Sequence, residues 1–374
     1  MLRLLFEKLL RLDFIIFFAT LFLLIWSCIF IHGIGIHCGG DIASYWWKQL
    51  MWGCIGLTAM FVIALIDYRT LGEYYWVIYL AGCSLLVIVL AVGKEINGAK
   101  SWIGLGPITL QPAELAKPCA LVITAWLMSK RMKGAEELSG WSVTRFIIPG
   151  LAAAFPCFLI LLQPDMGSAF IIVPIFCSIA FVAGLPKRII FLILFTVTAS
   201  AVPIYKYGLK SYQRARIDTF LHPEHDITGD GWNQYQSTLA VGSGGLHGKG
   251  LGNGTQYILG YLPRPVAPTD FIHSVISEET GFIGSLILIL TYLLITLRAV
   301  HISAKSNDYY GKFLGVGFVA FLVTHCYINI GMTMGKAPII GVPLPFVSYG
   351  GSFMLGCMIF MGLIQSVHIH SKLT

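Results

Sequence analysis

Charge is what this sequence has least of. Asp, Glu, Lys and Arg make up 11% of its 374 residues, against roughly 25% in an ordinary soluble domain. Hydrophobic residues make up 56%, with 40 glycines besides, and mean hydropathy is +0.78. A soluble globule could not cover its surface from so few polar residues. A string of soluble domains is therefore excluded, whatever the length suggests. Paired cysteines are also lacking. None of the nine Cys forms a Cys-x-x-Cys, which leaves no support for a zinc or redox motif. Eight lie in apolar runs and read as small hydrophobes; Cys38 alone stands near an aqueous loop. No repeat has a fixed period, and no strand–Gly-rich-turn–helix unit marks a nucleotide fold.

Long apolar runs are what is present. Crossing a bilayer takes about 20 mostly apolar residues. Ten segments qualify: 14–32, 49–66, 74–92, 112–129, 145–162, 167–184, 188–206, 275–297, 312–333 and 346–368. The first lacks a cleavage site followed by soluble sequence, so it reads as a retained helix. The expected fold is one all-α integral membrane domain over 1–374, with ten transmembrane helices. One set of connections holds 14 cations: Arg3, Lys8, Arg11, Arg69, Lys130, Arg131, Lys133, Arg145, Lys187, Arg188, Arg298, Lys305, Lys312 and Lys372. The short connections opposite hold four: Lys48, Lys94, Lys100 and Lys336. That bias places both termini in the cytoplasm. It also accounts for much of the net charge of +7 without nucleic acid. The connection 207–274 is the long one, a large extracytoplasmic loop between the seventh and eighth helices. Its aromatics and glycines predict a folded cap, partly in the membrane interface.

Ionisable residues within crossings are functional candidates by default. Glu114 and Lys117 are three apart on one helical face and can pair. They read either as a packing ion pair or as a polar cavity wall. Asp165 sits in Gln163-Pro164-Asp165-Met166-Gly167, where an Asp commonly caps the next helix. Asp270 precedes the eighth segment in Thr269-Asp270-Phe271-Ile272, so it reads as an N-cap or as a chemical group. His247, His273 and His325 have no metal-site spacing and read as structural. Gly350-Gly351 permits close helix approach or ligand contact.

Six ordered stretches together resemble one family. They are Asn97-Gly98-Ala99-Lys100-Ser101-Trp102, Gln111-Pro112-Ala113-Glu114-Leu115-Ala116-Lys117, the Gln163–Gly167 hairpin, Trp232-x-x-x-Gln236-Ser237-x-x-Ala240-x-Gly242-Ser243-Gly244-Gly245, the Thr269–Ile272 turn, and Gly341-Val342-Pro343-Leu344-Pro345-Phe346-Val347-Ser348-Tyr349-Gly350-Gly351-Ser352. The sequence is identified on these as a member of the SEDS proteins (shape, elongation, division and sporulation), and resembles the elongation branch more than the division branch. The resemblance implies a ten-helix SEDS bundle and a glycosyltransferase that polymerises lipid II. It implies that Asp270 is essential and that Glu114 and Lys117 line a central cavity. Through the matched motifs, Trp102, Asp165, Gln236, Ser237, Ser348 and Tyr349 join them as substrate-cavity residues. It also implies a class B penicillin-binding protein (a transpeptidase) as partner, beside other membrane proteins of the elongation machinery and membrane lipids, in the bacterial cytoplasmic membrane. The sequence departs from the family pattern at Ala113, Arg264, His273, Lys336 and Phe353.

The chemistry suits these residue types. A sugar hydroxyl is a poor nucleophile until a base takes its proton, a service worth roughly 10²–10⁴ in rate. Asp270 is placed for it. Cations stabilise the pyrophosphate charge that develops, and Lys117, Lys100, Arg214 and Arg216 are candidates. A divalent cation, Mg or Mn, is compatible with that role, although no ligand cluster marks a site. A lipid-linked donor needs no nucleotide fold but needs a lateral groove, which Pro149, Pro156 and Pro174 can open. The competing readings are a lipid II flippase and a non-catalytic scaffold of the elongation complex.

Overall fold

The computed structural model describes residues 7–96, 99–105, 108–137, 144–203, 205, 211–222 and 229–371. Asn97 and Gly98 of the first motif lie outside them, as do Arg3, Lys372 and parts of the long connection. Each of the ten apolar segments coincides with a helix. These are α1 (Phe14–Cys38), α2 (Tyr45–Leu65), α4 (Tyr75–Val92), α5 (Pro112–Glu137), α6 (Thr144–Leu162), α7 (Met166–Val182), α8 (Lys187–Pro203), α12 (Ile272–Ala304), α13 (Tyr309–Thr333) and α14 (Gly351–His370). Shorter helices join them: α3 (Tyr68–Glu73), α9 (Ser211–Leu221), α10 (Asp230–Ser243) and α11 (Thr255–Ile258). Among the described residues, seven helices are long and apolar enough to cross a membrane, and α7 is a shorter apolar one.

The surface is apolar and the interior carries polar groups. Phe191, Leu192, Phe195, Leu290, Leu293 and Leu297 point outward, whereas Gln49, Glu114, Lys117, Asn329 and Gln365 are buried. In water such a surface is an aggregation site. In lipid it is the solvent-facing side, and every backbone group is satisfied within a helix. This is a multi-pass membrane protein.

Helix α14 runs through the middle, almost wholly buried, packed on α2, α5 and α13. Its small residues permit this. A methyl on Gly351 would sit 2.2 Å from Trp52 Nε1 on α2, so only glycine admits the indole there.

At one end of the bundle, Asp13 caps α1 and Asp308 caps α13. Arg298 donates to Asp13 at 2.6 Å and Arg69 to Asp308 at 2.9 Å. Burial disfavours the Asp308 charge, but the Gly311 N–H, Arg69 and Tyr68 outweigh it and hold the carboxyl below its usual range.

At the other end, which carries Asp270 and is here the mouth, three short strands follow α4: β1 (Lys94–Ile96), β2 (Ala99–Leu105) and β3 (Ile108–Leu110). They form an antiparallel sheet in the order β1-β2-β3, with Glu95 opposite Lys100 and Ile103 opposite Leu110.

Helix α12 is interrupted near the mouth. Gly281 has φ 67° and ψ −159°, a left-handed conformation that glycine adopts without steric cost. The break frees backbone groups that a helix would pair. The Gly-rich segment after α10 takes them up. Lys249 and Gly250 donate N–H groups to the carbonyls of Glu278 and Glu279, both at 3.0 Å, and Phe282 N–H donates to Gly245 O at 2.8 Å. The Glu278 carboxylate also accepts from Lys249 Nζ at 2.6 Å and Thr255 N at 2.8 Å. The Tyr257 hydroxyl donates to Glu279 at 2.7 Å.

Candidate active site

Asp270 lies in a turn at the mouth, partly exposed, with α12 beginning two residues later. The N-cap of α12 is Phe271, with no side-chain cap. Asp270 is therefore not a helix cap, which removes the simplest structural reading of its motif. Three successive carbonyls of its turn are each held by another element. Tyr349 N–H donates to Pro268 O at 2.8 Å. Ser348 Oγ donates to Thr269 O at 2.5 Å. Asn329 Nδ2 donates to Asp270 O at 2.9 Å and to Val342 O at 2.8 Å. Backbone donors and acceptors must be paired when buried, and here the pairing fixes the turn against α13 and the 340–350 segment. Gly341 beside it is exposed, and a methyl on that glycine would lie 3.9 Å from Asp270 Oδ2.

Glu114 and Lys117 form an ion pair deep in the bundle. Lys117 Nζ donates to both carboxylate oxygens, at 2.8 and 2.9 Å. Glu114 also accepts from Ser168 Oγ at 3.3 Å. The residues are 4% and 1% exposed, so the pair is shielded from water and each charge depends on the other. Phe353 on α14 lies beside it, with Lys117 Nζ 5.9 Å from the ring centre. The same ring faces His325 at 5.2 Å.

The other sequence candidates divide by what they touch. Asp165 caps α7, accepting from Ser168 N at 3.0 Å, and receives Gln111 Nε2 at 2.8 Å. Lys100 Nζ donates to Leu90 O and Ala91 O, both at 3.0 Å, near the end of α4. Trp102 stands half-buried in β2. Arg214 and Arg216 are half-buried on α9, which packs on α10. Ser348 is 0% exposed; its hydroxyl is engaged with Thr269 O and with Leu344 N–H at 2.8 Å. Ser237 Oγ is also buried, bonded to Ser274 Oγ at 2.5 Å and Thr333 O at 2.9 Å.

Gln236 and Ser237 are on the inward face of α10, while Trp232, Tyr235 and Leu239 are exposed. A helix with polar residues inward and apolar residues outward has the faces expected next to lipid.

Among the described residues, no group of three His, Cys, Asp or Glu comes together as a metal site. Of the histidines, His273 is buried and bonds Thr333 Oγ1 at 2.8 Å, and His325 bonds Pro343 O at 2.9 Å. A groove of about 420 Å³ opens at the end away from Asp270, between α7, α12 and α13, with Val182, Val300 and Val319 in its wall and Lys312 at its rim.

Residues 7–373 match the family model described as "Cell cycle protein", which covers FtsW, RodA and SpoVE. The chain belongs to that family, the SEDS proteins. It is 30% identical to the peptidoglycan glycosyltransferase RodA of Treponema pallidum, over 95% of this chain and 97% of that one. It is 34% identical to the peptidoglycan glycosyltransferase MrdB of Escherichia coli, over 85% and 84% of the two chains. A solved chain from a study of how a peptidoglycan synthase complex coordinates polymerization and crosslinking superposes with TM-score 0.79 at 27% identity, covering 97% of this chain and 99% of that one.

Within this RodA-like SEDS protein, the residue that sequence reading passed over is Asn329. It sits in the middle of an apolar run, 59 residues from Asp270. Its one visible signal is an amide within a predicted span, where a polar side chain needs a partner.

Proposed function

We propose that this chain is a peptidoglycan glycosyltransferase that polymerises lipid II during cell elongation, with Asp270 as general base. The observation that carries the proposal is the partly exposed Asp270 carboxylate on a turn held through three successive carbonyls at one end of a membrane bundle. The names of the relatives agree with it. The acceptor hydroxyl gives its proton to Asp270 as its oxygen attacks the anomeric carbon of the lipid-linked sugar. The carbon–oxygen bond to pyrophosphate breaks on the opposite face, and pyrophosphate leaves with the electron pair. The anomeric centre inverts. Lys117 and Lys100 already hold partners within the chain, so Arg214 and Arg216 on α9 are assigned to the developing negative charge.

In this reading the ten helices cross the bacterial cytoplasmic membrane, the mouth faces outward and both termini are cytoplasmic. The long connection 207–274 then covers the outer face, and the lipid tail lies between helices. The partner is a class B penicillin-binding protein, with other elongation proteins alongside.

The test is incubation of the purified protein and its transpeptidase partner with labelled lipid II. A ladder of glycan chains is expected, and its absence with an intact complex removes the proposal. A second outcome follows from Asn329. Asn329→Ala frees the Asp270 turn and is expected to lower the maximal rate by about 10–100-fold, as a displacement near 1 Å does. The half-saturating lipid II concentration stays near wild type, and the melting temperature falls only by what two lost hydrogen bonds cost, about 1–3 kcal/mol each. A fall in melting temperature with unchanged rate would make Asn329 a packing residue only.

A further inference from the structure

One face of α2 packs mainly on α14 and the segment that leads into it. Gly56 meets Met358, and Trp52 lies under Gly351. Gln49 donates to Ser348 O at 3.0 Å and accepts from Gly350 N at 3.3 Å. These positions recur at helical spacing, and the next one toward the mouth is Tyr45. Its ring stacks on Tyr349 with centroids 4.1 Å apart and planes inclined by 4°. Lys48 Nζ stands 5.7 Å from the Tyr45 ring centre.

Both rings are half-buried, at the point where the α2–α14 interface reaches the mouth. Aromatic residues are common at membrane interfaces, and the neighbouring Trp47, 59% exposed, fits that description. Tyr45 does not, because it is turned inward. Tyr349 is also tied to the catalytic turn: its N–H bonds Pro268 O, two residues before Asp270. The aromatic plate and the carboxylate are thus parts of one rigid unit.

We infer that the Tyr45–Tyr349 stack, with Lys48 beside it, is a saccharide subsite that holds the growing glycan next to Asp270. The inference rests on the glycosyltransferase reading. A pyranose ring presents a face of C–H groups that packs on the negative face of an aromatic ring.

The experiment has two readouts. One is the length of glycan chains at equal lipid II consumption by the protein–transpeptidase complex. The other is binding of a lipid-free tetrasaccharide of alternating N-acetylglucosamine and N-acetylmuramic acid, followed by the fluorescence of the nearby tryptophans. Tyr45→Ala is expected to shorten chains and weaken probe binding, each by about 3–10-fold, as loss of one aromatic contact does. Tyr45→Leu keeps the apolar volume and the fold, and shows the same losses. Tyr45→Phe restores the ring and the wild-type values. If Tyr45→Leu leaves chain length and probe affinity unchanged while the wild type polymerises, the subsite is wrong. A melting temperature that falls while both readouts hold is an anchoring residue only, and overturns the inference equally. A wild type that binds the probe yet makes no polymer would defeat the glycosyltransferase reading and leave the subsite standing.

Discussion

Asp270→Asn and Asp270→Ala are expected to abolish glycan-chain formation, with a loss of about 10²–10⁴ or more in rate. Melting temperature and partner binding should stay within the wild-type range. The side chain caps no helix, and three backbone carbonyls hold its turn. Removing the acid therefore removes a base and leaves the scaffold. Asp270→Glu keeps the carboxylate but moves it by one methylene, and should retain a small part of the activity. Quantifying chains from labelled lipid II against time, with melting curves on the same samples, checks all three. Normal polymerisation by Asp270→Asn would assign the base elsewhere.

The second large effect is on stability. Glu114→Ala leaves the Lys117 ammonium buried with its main partner gone. Breaking a buried pair from one side costs about 3–5 kcal/mol. Lys117→Met strands the carboxylate and should cost a similar amount. The double variant Glu114→Leu/Lys117→Met removes both charges together and should recover most of the lost melting temperature, since an apolar pair of similar volume is often neutral. Polymer formation by that double variant is expected to stay low, because the polar surface beside Phe353 is gone. Full activity in the double variant would reduce the pair to a packing device.

The helices were legible because a bilayer dictates the length of an apolar run, and each run from Phe14 to His370 does coincide with a helix. Asp165 was legible as a cap from its Pro-Asp-Met-Gly setting. Asp270 stood out only through its motif; spacing alone left it between cap and base, and the start of α12 at Ile272 decides against the cap. What holds Asp270 in place was not legible. Asn329 looks like one more residue of a span, and its bond to Asp270 O joins elements far apart in the chain. Ser348 and Tyr349 were visible as a motif, but nothing local says that they hold the carbonyls of Thr269 and Pro268. The three strands after α4 are too short for any periodicity to register. Gly281 reads as an ordinary helical glycine, since its left-handed backbone depends on the loop that bonds across it.

That break in α12 bears on how the protein tolerates its surroundings. A continuous rod of 33 residues would pass any tilt imposed by a thicker or thinner bilayer straight to the turn at its outer end. At Gly281 the rod is broken, and the Gly-rich segment bonds both sides of the break, Glu278 and Glu279 above it and Phe282 below. A tilt of the lower length therefore meets a braced joint before it reaches the reacting group.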